Sequence, residues 1–221
     1  MRKGLTISEL LVAMTVIGVI AALVVPGFLK DYHKKLYTTQ LKKVYEMIYS
    51  SIEEACGDYN VTAFSQTPYF TSTPSAEKQG EFLNTYFKVV KQADTSITGK
   101  FNSTYRSLTD TDTEQSWTTT GMEESSAKVT LKGGEALAFY CTSSNVAPKH
   151  RCYVTVDVNS TAGPNIGGRD MFRLQIDADT NEVTGQSTWF QCRPDAANPA
   201  ADTGGKGCLT RIMKDNWVME Y

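Results

Sequence analysis

The 221-residue sequence has few of the residues that build catalytic or metal centres. It contains only two histidines, His33 and His150, and no Cys-x-x-C pair. Structural zinc sites and thioredoxin-like redox centres depend on such residues, so neither is expected. The G-x-S-x-G, H-E-x-x-H and P-loop motifs are also missing, which removes the common signatures of hydrolases, metalloproteases and nucleotide-binding enzymes. We therefore expect a protein that is not an enzyme.

The sequence also has no excess of basic over acidic residues. Lys and Arg total 22 against 24 Asp and Glu, which gives a net charge of −2 at pH 7. Nucleic-acid-binding domains usually carry clustered positive charge, whereas the basic residues here are scattered. Binding of nucleic acid is thus unsupported.

A long apolar run stands at the N-terminus. From Leu5 to Leu29 the only charged residue is Glu9. A helix of this length spans about 37 Å, enough to cross a bilayer core of about 30 Å. Arg2 and Lys3 precede the run and would stay on the cytoplasmic side of the membrane. The run is too long for an ordinary signal peptide, so it predicts a membrane-inserted helix.

Five residues of this segment stand in a distinctive order. A basic leader ends at Gly4 and is followed by the apolar Leu5, the acidic Glu9, and then Gly18 and Pro26 within the apolar run. This order resembles the N-terminal signal of type IV pilins and pseudopilins. The resemblance implies that a prepilin peptidase cleaves between Gly4 and Leu5 and methylates the new amine of Leu5.

The resemblance also implies a role for Glu9. An unpaired carboxylate in hydrocarbon costs at least about 2.5–3.5 kcal/mol on insertion scales, so it needs a cation nearby. In the pilin family the N-terminal amine of a neighbouring subunit pairs with this carboxylate and sets the register of assembly, which we carry over to Glu9 and Leu5. Two departures from the family pattern are mild: Leu5 replaces the commonest phenylalanine, and Thr6-Ile7-Ser8 replaces the frequent Thr-Leu-Ile.

A weak point is expected within the apolar helix. Pro26 removes one helical N–H and crowds the preceding turn, and Gly18 and Gly27 lie nearby. A kink or a locally unwound segment is therefore predicted between Gly18 and Phe28. The resemblance implies that this segment becomes extended in a filament.

Beyond Leu29 the pattern becomes one-sided and predicts an amphipathic helix that ends near Ala55, with Gly57 as the stop signal. Its apolar face comprises Leu36 or Tyr37, Leu41, Val44 or Tyr45, Ile48 and Ile52. A short helix with Phe82, Leu83, Tyr86, Phe87 and Val90 on one face is predicted next, and Ser75 can cap its start.

The C-terminal half predicts strands separated by turns. The segments are KVTL, EALAFYC, CYVTVDV, MFRLQID and VTGQ, and the closing CLTRIMKDNWVMEY places Leu209, Ile212, Met213 and Trp217 on one helical face. Residues 130–176 and 208–221 are similar to those of a group of bacterial pilin-like proteins.

The predicted fold class is α+β, with a long N-terminal helix packed on an antiparallel β-meander, as in the type IV pilin fold that the resemblance implies. The predicted layout is a leader at 1–4, a hydrophobic transmembrane and polymerisation helix at 5–29, an amphipathic helix half at 30–56, a variable loop region with a short helix at 57–127, and an antiparallel sheet with a disulfide-bearing C-terminal region at 128–221.

The five cysteines indicate an exported domain with disulfides. Cys141 ends one predicted strand and Cys152 begins the next, so a bridge between them would staple a hairpin. A bridge from Cys192 to Cys208 would close a 15-residue loop, worth about 3 kcal/mol by chain entropy. Other pairings stay open, and Cys56 is predicted either as a buried thiol or as a replacement for one of these partners.

Oxygen-bearing side chains stand among glycines at Asp157, Asn159, Asn165 and Asp170. Ca²⁺ binds such oxygens, and calcium sites occur in the β-region loops of secretion pseudopilins. The other interpretation is that Asp157 and Asn159 form Asx turns and that Gly-Pro-Asn shapes the loop. Ca²⁺ is the only cofactor for which the sequence gives an indication.

Taken with the resemblance, these features predict a structural subunit, a major pilin, of a type IV pilus. The precursor would lie in the inner (cytoplasmic) membrane and the assembled homopolymer at the cell surface, with prepilin peptidase and the inner-membrane assembly machinery as partners. A pseudopilin of a type II secretion system, in a periplasmic filament, is the alternative within this class. A membrane-anchored surface-binding protein that never polymerises is the alternative of another class.

Overall fold

The computed structural model describes residues 6–106, 108, 114–116, 126–185 and 207–221. Within these residues the α-helices are α1 (Ile7–Asp58), α2 (Ala76–Tyr86) and α3 (Cys208–Lys214), and a short 3₁₀ helix lies at Phe64–Gln66. The strands are β1 (Thr104–Arg106), β2 (Glu114–Ser116), β3 (Ala127–Thr130), β4 (Ala136–Ser143), β5 (His150–Asp157), β6 (Met171–Asp177) and β7 (Glu182–Gly185). The chain divides into two compact units, Met1–Leu36 and Tyr37–Tyr221.

The first unit contains the N-terminal part of α1. Its apolar side chains are exposed, from Ile7 to Leu29. By length and composition α1 is able to cross a membrane, with a mean hydropathy of 2.5 over its most apolar window. A long apolar N-terminal helix is therefore present, as predicted, and it is consistent with membrane anchoring.

The helix continues through its predicted weak point. Gly18, Pro26 and Gly27 all lie within α1, so the structure has no unwound segment between Gly18 and Phe28. A kink there, and an extended segment in a filament, stay predictions. Pro26 still withholds its N–H, so the carbonyl of Ala22, four residues earlier, loses its usual helical donor. The adjacent backbone bonds hold the helical conformation across this point.

In the second unit, α1 buries one face. Its buried apolar side chains are Tyr37, Leu41, Val44, Ile48, Ile52 and Ala55, and they confirm the three- and four-residue spacing read from the sequence. The predicted end was wrong by three residues, because α1 runs through Gly57 to Asp58. The left-handed residue that stops it is Asn60, with φ of 50°.

The stop is a Schellman motif. The N–H of Val61 donates to the carbonyl of Cys56 at 3.0 Å, and the N–H of Asn60 donates to the carbonyl of Gly57 at 3.1 Å. Gly57 therefore remains helical, and Asn60 supplies the conformation that Gly57 was expected to supply.

The five strands β3 to β7 form one antiparallel sheet in the order of the sequence, which confirms the predicted meander. Val156 of β5 stands opposite Leu137 of β4 and Phe172 of β6. Alternate side chains point to opposite faces of a sheet, so these three share one face. They belong to the same buried apolar cluster as Leu41 and Ile48 of α1.

The opposite face of the sheet has a smaller core. Ala136, Ala138 and Met171 pack there with Phe101 and Tyr105. Tyr105 belongs to β1, which pairs with β2 as a separate two-stranded sheet. The sequence did not predict this hairpin, because its short polar strands carry no alternating apolar pattern.

Two predicted helices are shorter in the structure. Ser75 caps α2, since its side chain accepts a bond from the N–H of Lys78, as predicted. However, α2 ends at Tyr86, and Val90, which was assigned to its face, donates its N–H to Thr130 of β3 instead. β-branched residues favour this extended pairing.

The C-terminal helix α3 ends at Lys214, so the prediction that it carries Trp217 was wrong. Trp217 and the preceding Asn216 have φ of 63° and 53°, which breaks the helical path. The indole of Trp217 nevertheless packs against the core, edge-on to Tyr45 with ring centroids 5.3 Å apart.

Candidate functional site

The N-terminus of α1 is closed by a capping box between Thr6 and Glu9. The N–H and the hydroxyl of Thr6 donate to Oε2 of Glu9 at 2.8 and 2.7 Å. In return, the N–H of Glu9 donates to Oγ1 of Thr6 at 3.3 Å. The carbonyl of Thr6 accepts the N–H of Leu10, which places Thr6 at the N-cap position.

The sequence reasoning missed this role of Thr6. It treated Glu9 as a carboxylate without a partner in its own chain, although Thr-x-x-Glu before an apolar run is the sequence signature of a capping box. The structure shows that Glu9 has two donors in its own helix. Both bonds go to Oε2, and hydrogen bonds leave the formal charge of the carboxylate unneutralised.

The surroundings of Glu9 are apolar and exposed. Leu10, Leu11 and Val12 follow it with more than half of their surface open. The helix therefore presents a polar, charged end next to a surface that suits hydrocarbon or another apolar helix. Gly4 and Leu5, the predicted cleavage and methylation residues, lie outside the described residues.

A second candidate site lies in the loop between β5 and β6. Asp157 and Asp170 are both completely buried. Oδ1 of Asp157 accepts the N–H of Asn159 at 3.2 Å, while the two oxygens of Asp170 accept the N–H groups of Asn165 at 2.8 Å and Ile166 at 2.6 Å. The structure thus brings all four predicted oxygen-bearing residues into one loop.

The pKa values of both carboxyl groups are raised in this loop. Burial raises the pKa of Asp157 to about 8, and the nearby charge of Asp170 adds to that rise. Burial also raises the pKa of Asp170, against the lowering effect of its backbone donors. In the described part of the chain neither carboxylate forms a salt bridge, so no cation there offsets their burial.

Two aromatic residues connect this loop to other parts of the second unit. Tyr37, from the buried face of α1, interacts with the side chain of Asn159, and the charge of Asp170 helps to raise the pKa of its phenol after burial. The hydroxyl of Tyr221 donates to the carbonyl of Gly168 at 2.8 Å. The loop is therefore held between α1 and the C-terminal segment.

The donor set of this loop fits Ca²⁺ by its chemistry. The side chains of Asp157, Asn159 and Asn165 each have a buried oxygen without a hydrogen-bond partner, and hard cations take carboxylate and amide oxygens. Among the described residues no three His, Cys, Asp or Glu side chains are placed to hold a metal. Binding of Ca²⁺ to these oxygens stays a prediction.

The predicted hairpin disulfide is present. Cys141 and Cys152 are bonded to each other and stand opposite one another on β4 and β5. Cys208 is also disulfide-bonded, and Cys192, its predicted partner, lies outside the described residues. Cys56 is a buried free thiol whose pKa is raised by burial, which matches one of the two expectations for it.

His150, in the second unit, belongs to a polar network. Nδ1 of His150 lies 2.8 Å from Oδ1 of Asp179, and Oγ of Ser65 donates to the same oxygen at 2.8 Å. The carboxylate thus lies between the imidazole and the hydroxyl, whereas a catalytic triad needs the imidazole in that position. The network ties the 3₁₀ helix, β5 and the β6–β7 turn together.

Comparison with known proteins returns no relative. No family model matches the chain, and no curated protein and no solved structure matches it. The resemblance of the N-terminal segment to pilins stays an expectation.

Proposed function

We propose that this chain is a structural subunit of a type IV pilus, a major pilin, that polymerises through its N-terminal helix after cleavage between Gly4 and Leu5. The observation that carries the proposal is the exposed apolar helix with a single carboxylate, Glu9, at its capped N-terminus. From Tyr37 onwards the same helix buries one face in the folded second unit.

The exposed apolar surface of α1 suits both a membrane-inserted state and a filament state of the helix. Before assembly, lipid covers the surface, because a helix with all-round apolar side chains is stable in hydrocarbon. In a filament, the same surface of neighbouring helices covers it. Transfer between the two states exchanges one apolar environment for another, so packing and specific polar contacts decide which state is favoured.

Glu9 supplies the specific contact in this proposal. A charge at the centre of a membrane helix costs about 2.5–3.5 kcal/mol on insertion scales. Glu9 lies in the first turn of α1, where the cost is smaller, but a simple anchor gains nothing from it. The capping box satisfies Oε2 with Thr6, but the charge persists until a cation arrives. The amine of Leu5 on a neighbouring subunit is that cation, and the ion pair that forms in a low dielectric sets the register between subunits.

The second unit supports an exported location for the folded domain. Its Cys141–Cys152 disulfide is of a kind that persists in oxidising compartments. Arg2 and Lys3 before the helix favour a cytoplasmic N-terminus and an external C-terminal domain. The domain would then form the outer surface of the filament.

The decisive variant is Glu9→Gln, because glutamine can still form a capping box and only the charge is lost. We expect the membrane pool of the variant to equal that of the wild type, while the filaments sheared from cells fall by at least tenfold. Glu53→Gln changes an exposed glutamate on the same helix and should leave filaments unchanged. Normal filaments from Glu9→Gln would reject the charge-pairing role.

The other functions give different outcomes in the same experiment. A pseudopilin would form filaments in the periplasm, and its Glu9→Gln variant would block protein secretion. A membrane-anchored surface-binding protein would form no filament in either variant, and its wild-type N-terminus would not begin at a methylated Leu5.

A further inference from the structure

We propose that a cavity in the second unit binds an acidic saccharide, a sugar ring that carries hydroxyl groups and one carboxylate. The cavity has a volume of about 360 Å³ and is lined by residues of α1, the end of α2 and the β3–β4 turn. Small-molecule pockets usually measure about 300–1,000 Å³. All of the lining residues belong to the second unit, so this site is independent of the filament proposal.

A buried carboxylate with one open oxygen lines the cavity. The side chain of Glu135 is 1% exposed. Its Oε1 accepts a hydrogen bond from Nζ of Lys43 at 2.9 Å, whereas its Oε2 is buried and accepts none from the described residues. A buried ion pair is stable only when its remaining lone pairs also find donors. Oε2 is therefore a place for one hydrogen-bond donor of a ligand.

The β3–β4 turn holds this ion pair at the cavity wall. The N–H of Leu131 donates to the carbonyl of Glu135 at 2.8 Å, and the N–H of Gly134 donates to the carbonyl of Leu131 at 3.0 Å. A Cβ at Gly133 would lie 2.7 Å from Nζ of Lys43 and 2.8 Å from Oε1 of Glu135. These distances place both charged groups directly against the backbone of the turn.

The charge of the ion pair selects a neutral donor at Oε2. Lys43 already supplies one cation to Glu135, and its ammonium would repel a second cation placed beside the same carboxylate. A hydroxyl donates a hydrogen bond without adding charge. The arrangement therefore suits a ligand hydroxyl better than a ligand ammonium.

Two further lysines supply the attraction for an acid. The N–H of Lys132 donates to the carbonyl of Lys88 at 2.8 Å, so a backbone bond holds these two residues side by side. Both are exposed and both line the cavity. With Lys43 they face two glutamates, Glu54 and Glu135, among the described lining residues, which leaves one positive charge in excess. One carboxylate on the ligand complements that charge.

An apolar wall completes the cavity and favours a ring over a small inorganic anion. Met47, Tyr86, Phe87 and Leu131 line it. The hydroxyl of Tyr86 donates to Oδ2 of Asp58 at 2.8 Å, which fixes the aromatic ring. The face of such a ring is negative and attracts the partly positive C–H groups of a sugar.

The experiment measures dissociation constants by ligand-observed NMR with the full-length protein in a detergent that contains no sugar groups. D-glucuronate and N-acetylneuraminate are the probes, because both carry hydroxyls and one carboxylate. D-glucose supplies hydroxyls alone, and acetate supplies a carboxylate alone. At least one of the two acids should bind about tenfold or more tightly than glucose and acetate, and the tighter one identifies the kind of acid.

Three results with the wild type would overturn the proposal. The first is no binding of either acid. The second is binding of acetate or glucose as tight as that of the acids, which would mean that the carboxylate or the hydroxyls alone are recognised. The third is tighter binding of triglutamate than of either acid, which would identify an acidic protein segment as the occupant.

A double variant tests the lysines without disturbing the fold. Lys88→Gln/Lys132→Gln changes two exposed side chains, so it should melt near the wild-type temperature and bind the acid about tenfold or more weakly. Lys91→Gln/Lys149→Gln changes two exposed lysines that do not line this cavity and should keep the wild-type affinity. Equal affinities of the two double variants would contradict the proposed role of Lys88 and Lys132.

Glu135→Gln tests the open oxygen. Glutamine has one acceptor oxygen, which the ammonium of Lys43 takes, so an NH₂ donor replaces the open acceptor. The variant should lose most of the binding of the acid, and its melting temperature is measured in parallel because the ion pair is buried. Wild-type affinity in the folded variant would contradict the role of Glu135. If the variant does not fold, the lysine double variants still decide the proposal.

Discussion

The N–H and the hydroxyl of Thr6 both donate to one oxygen of Glu9, at 2.8 and 2.7 Å. The carboxylate thereby lies in the first turn of its own helix, at the end where the helix dipole is positive. This arrangement lowers the cost of carrying a charge at the start of an apolar helix. It also fixes where an incoming cation would meet that charge.

Replacement of Thr6 by valine should weaken filament assembly. The valine removes the hydroxyl bond to Glu9 and the cap on the N–H of Glu9, with a loss of about 1 kcal/mol of helix stability. The backbone N–H of residue 6 still donates to Oε2, so the loss of sheared filaments should be smaller than for Glu9→Gln.

The control for this change lies in the same helix. Thr15 uses its hydroxyl to bond back to the carbonyls of Leu11 and Val12, so Thr15→Val removes a hydroxyl without affecting Glu9. Filament yield should then match that of the wild type. Equal yields from Thr6→Val and Thr15→Val would argue against a positioning role for Thr6.

Two glycine substitutions should have opposite effects on stability. A Cβ at Gly133 would clash with Oε2 of Glu135 and lie 2.7 Å from Nζ of Lys43, and those two side chains form an ion pair at 2.9 Å. Gly133→Ala should therefore disturb a pair whose carboxylate is buried and lower the free energy of unfolding by about 1–3 kcal/mol.

Gly57→Ala is the matched control for that substitution. Gly57 is helical, and a Cβ added there would meet no neighbouring side chain within 4 Å. Alanine at this position should raise the free energy of unfolding by about 0.4–1 kcal/mol, because the unfolded chain loses freedom. Thermal melting of both variants measures the contrast, and equal effects would show that the crowding at Gly133 is relieved by movement of Glu135.

The disulfide assignments predict the number of free thiols in the protein. Two bridges among five cysteines leave one thiol, assigned to the buried Cys56. Alkylation of the denatured, unreduced protein should label one cysteine per chain, and peptide mapping should place it at Cys56. Labelling at Cys192 or Cys208 would contradict the predicted second bridge.

Removal of the Cys141–Cys152 disulfide should lower the stability of the folded protein. Cys141 and Cys152 are 11 residues apart and connect adjacent central strands, so their bridge restricts the unfolded chain by about 3 kcal/mol in the chain-entropy model. The Cys141→Ser/Cys152→Ser double variant should melt at least several degrees below the wild type. A change of less than one degree would show that strand packing alone fixes this hairpin.

The pH dependence of stability should include a contribution from Asp179. His150 first, and then Ser65, hold the pKa of this carboxyl below its usual value. A lowered carboxyl pKa stabilises the fold above the unfolded pKa of about 3.9, and that stability is lost as the pH falls through the folded value. Asp179→Asn should cost about 0.2–1 kcal/mol at pH 7, since the pair is partly exposed.

The measurement is thermal melting at pH 7 and at pH 3. The difference in melting temperature between the wild type and Asp179→Asn should be present at pH 7 and should shrink at pH 3. A difference of the same size at both pH values would mean that the variant acts through packing and not through the carboxylate charge.

Regular patterns made much of the fold predictable from the sequence. The spacing of Leu41, Val44, Ile48 and Ile52 gave the buried face of α1, and the β-branched runs between turn residues gave the five-stranded meander. The helical face follows from a 3.6-residue period that persists over many residues, and the strands follow from apolar runs bounded by turn residues. Local exceptions carry no such repetition, which explains why the Asn60 stop and the end of α3 before Trp217 were missed.

The candidate sites depended on contacts that a linear pattern does not display. Thr6-x-x-Glu9 is the sequence signature of a capping box, whereas the bonds that form it are visible only in the structure. The two aspartates of the β5–β6 loop look alike in sequence, and only their bonds separate them: Asp170 uses both oxygens on the backbone, while Asp157 retains one without a partner.

Mass spectrometry of filaments sheared from cells shows whether the chain is processed and polymerises through its N-terminal helix. The filament fraction should contain the chain starting at a methylated Leu5. A filament fraction without this chain, together with a membrane-bound form that still begins at Met1, would contradict it.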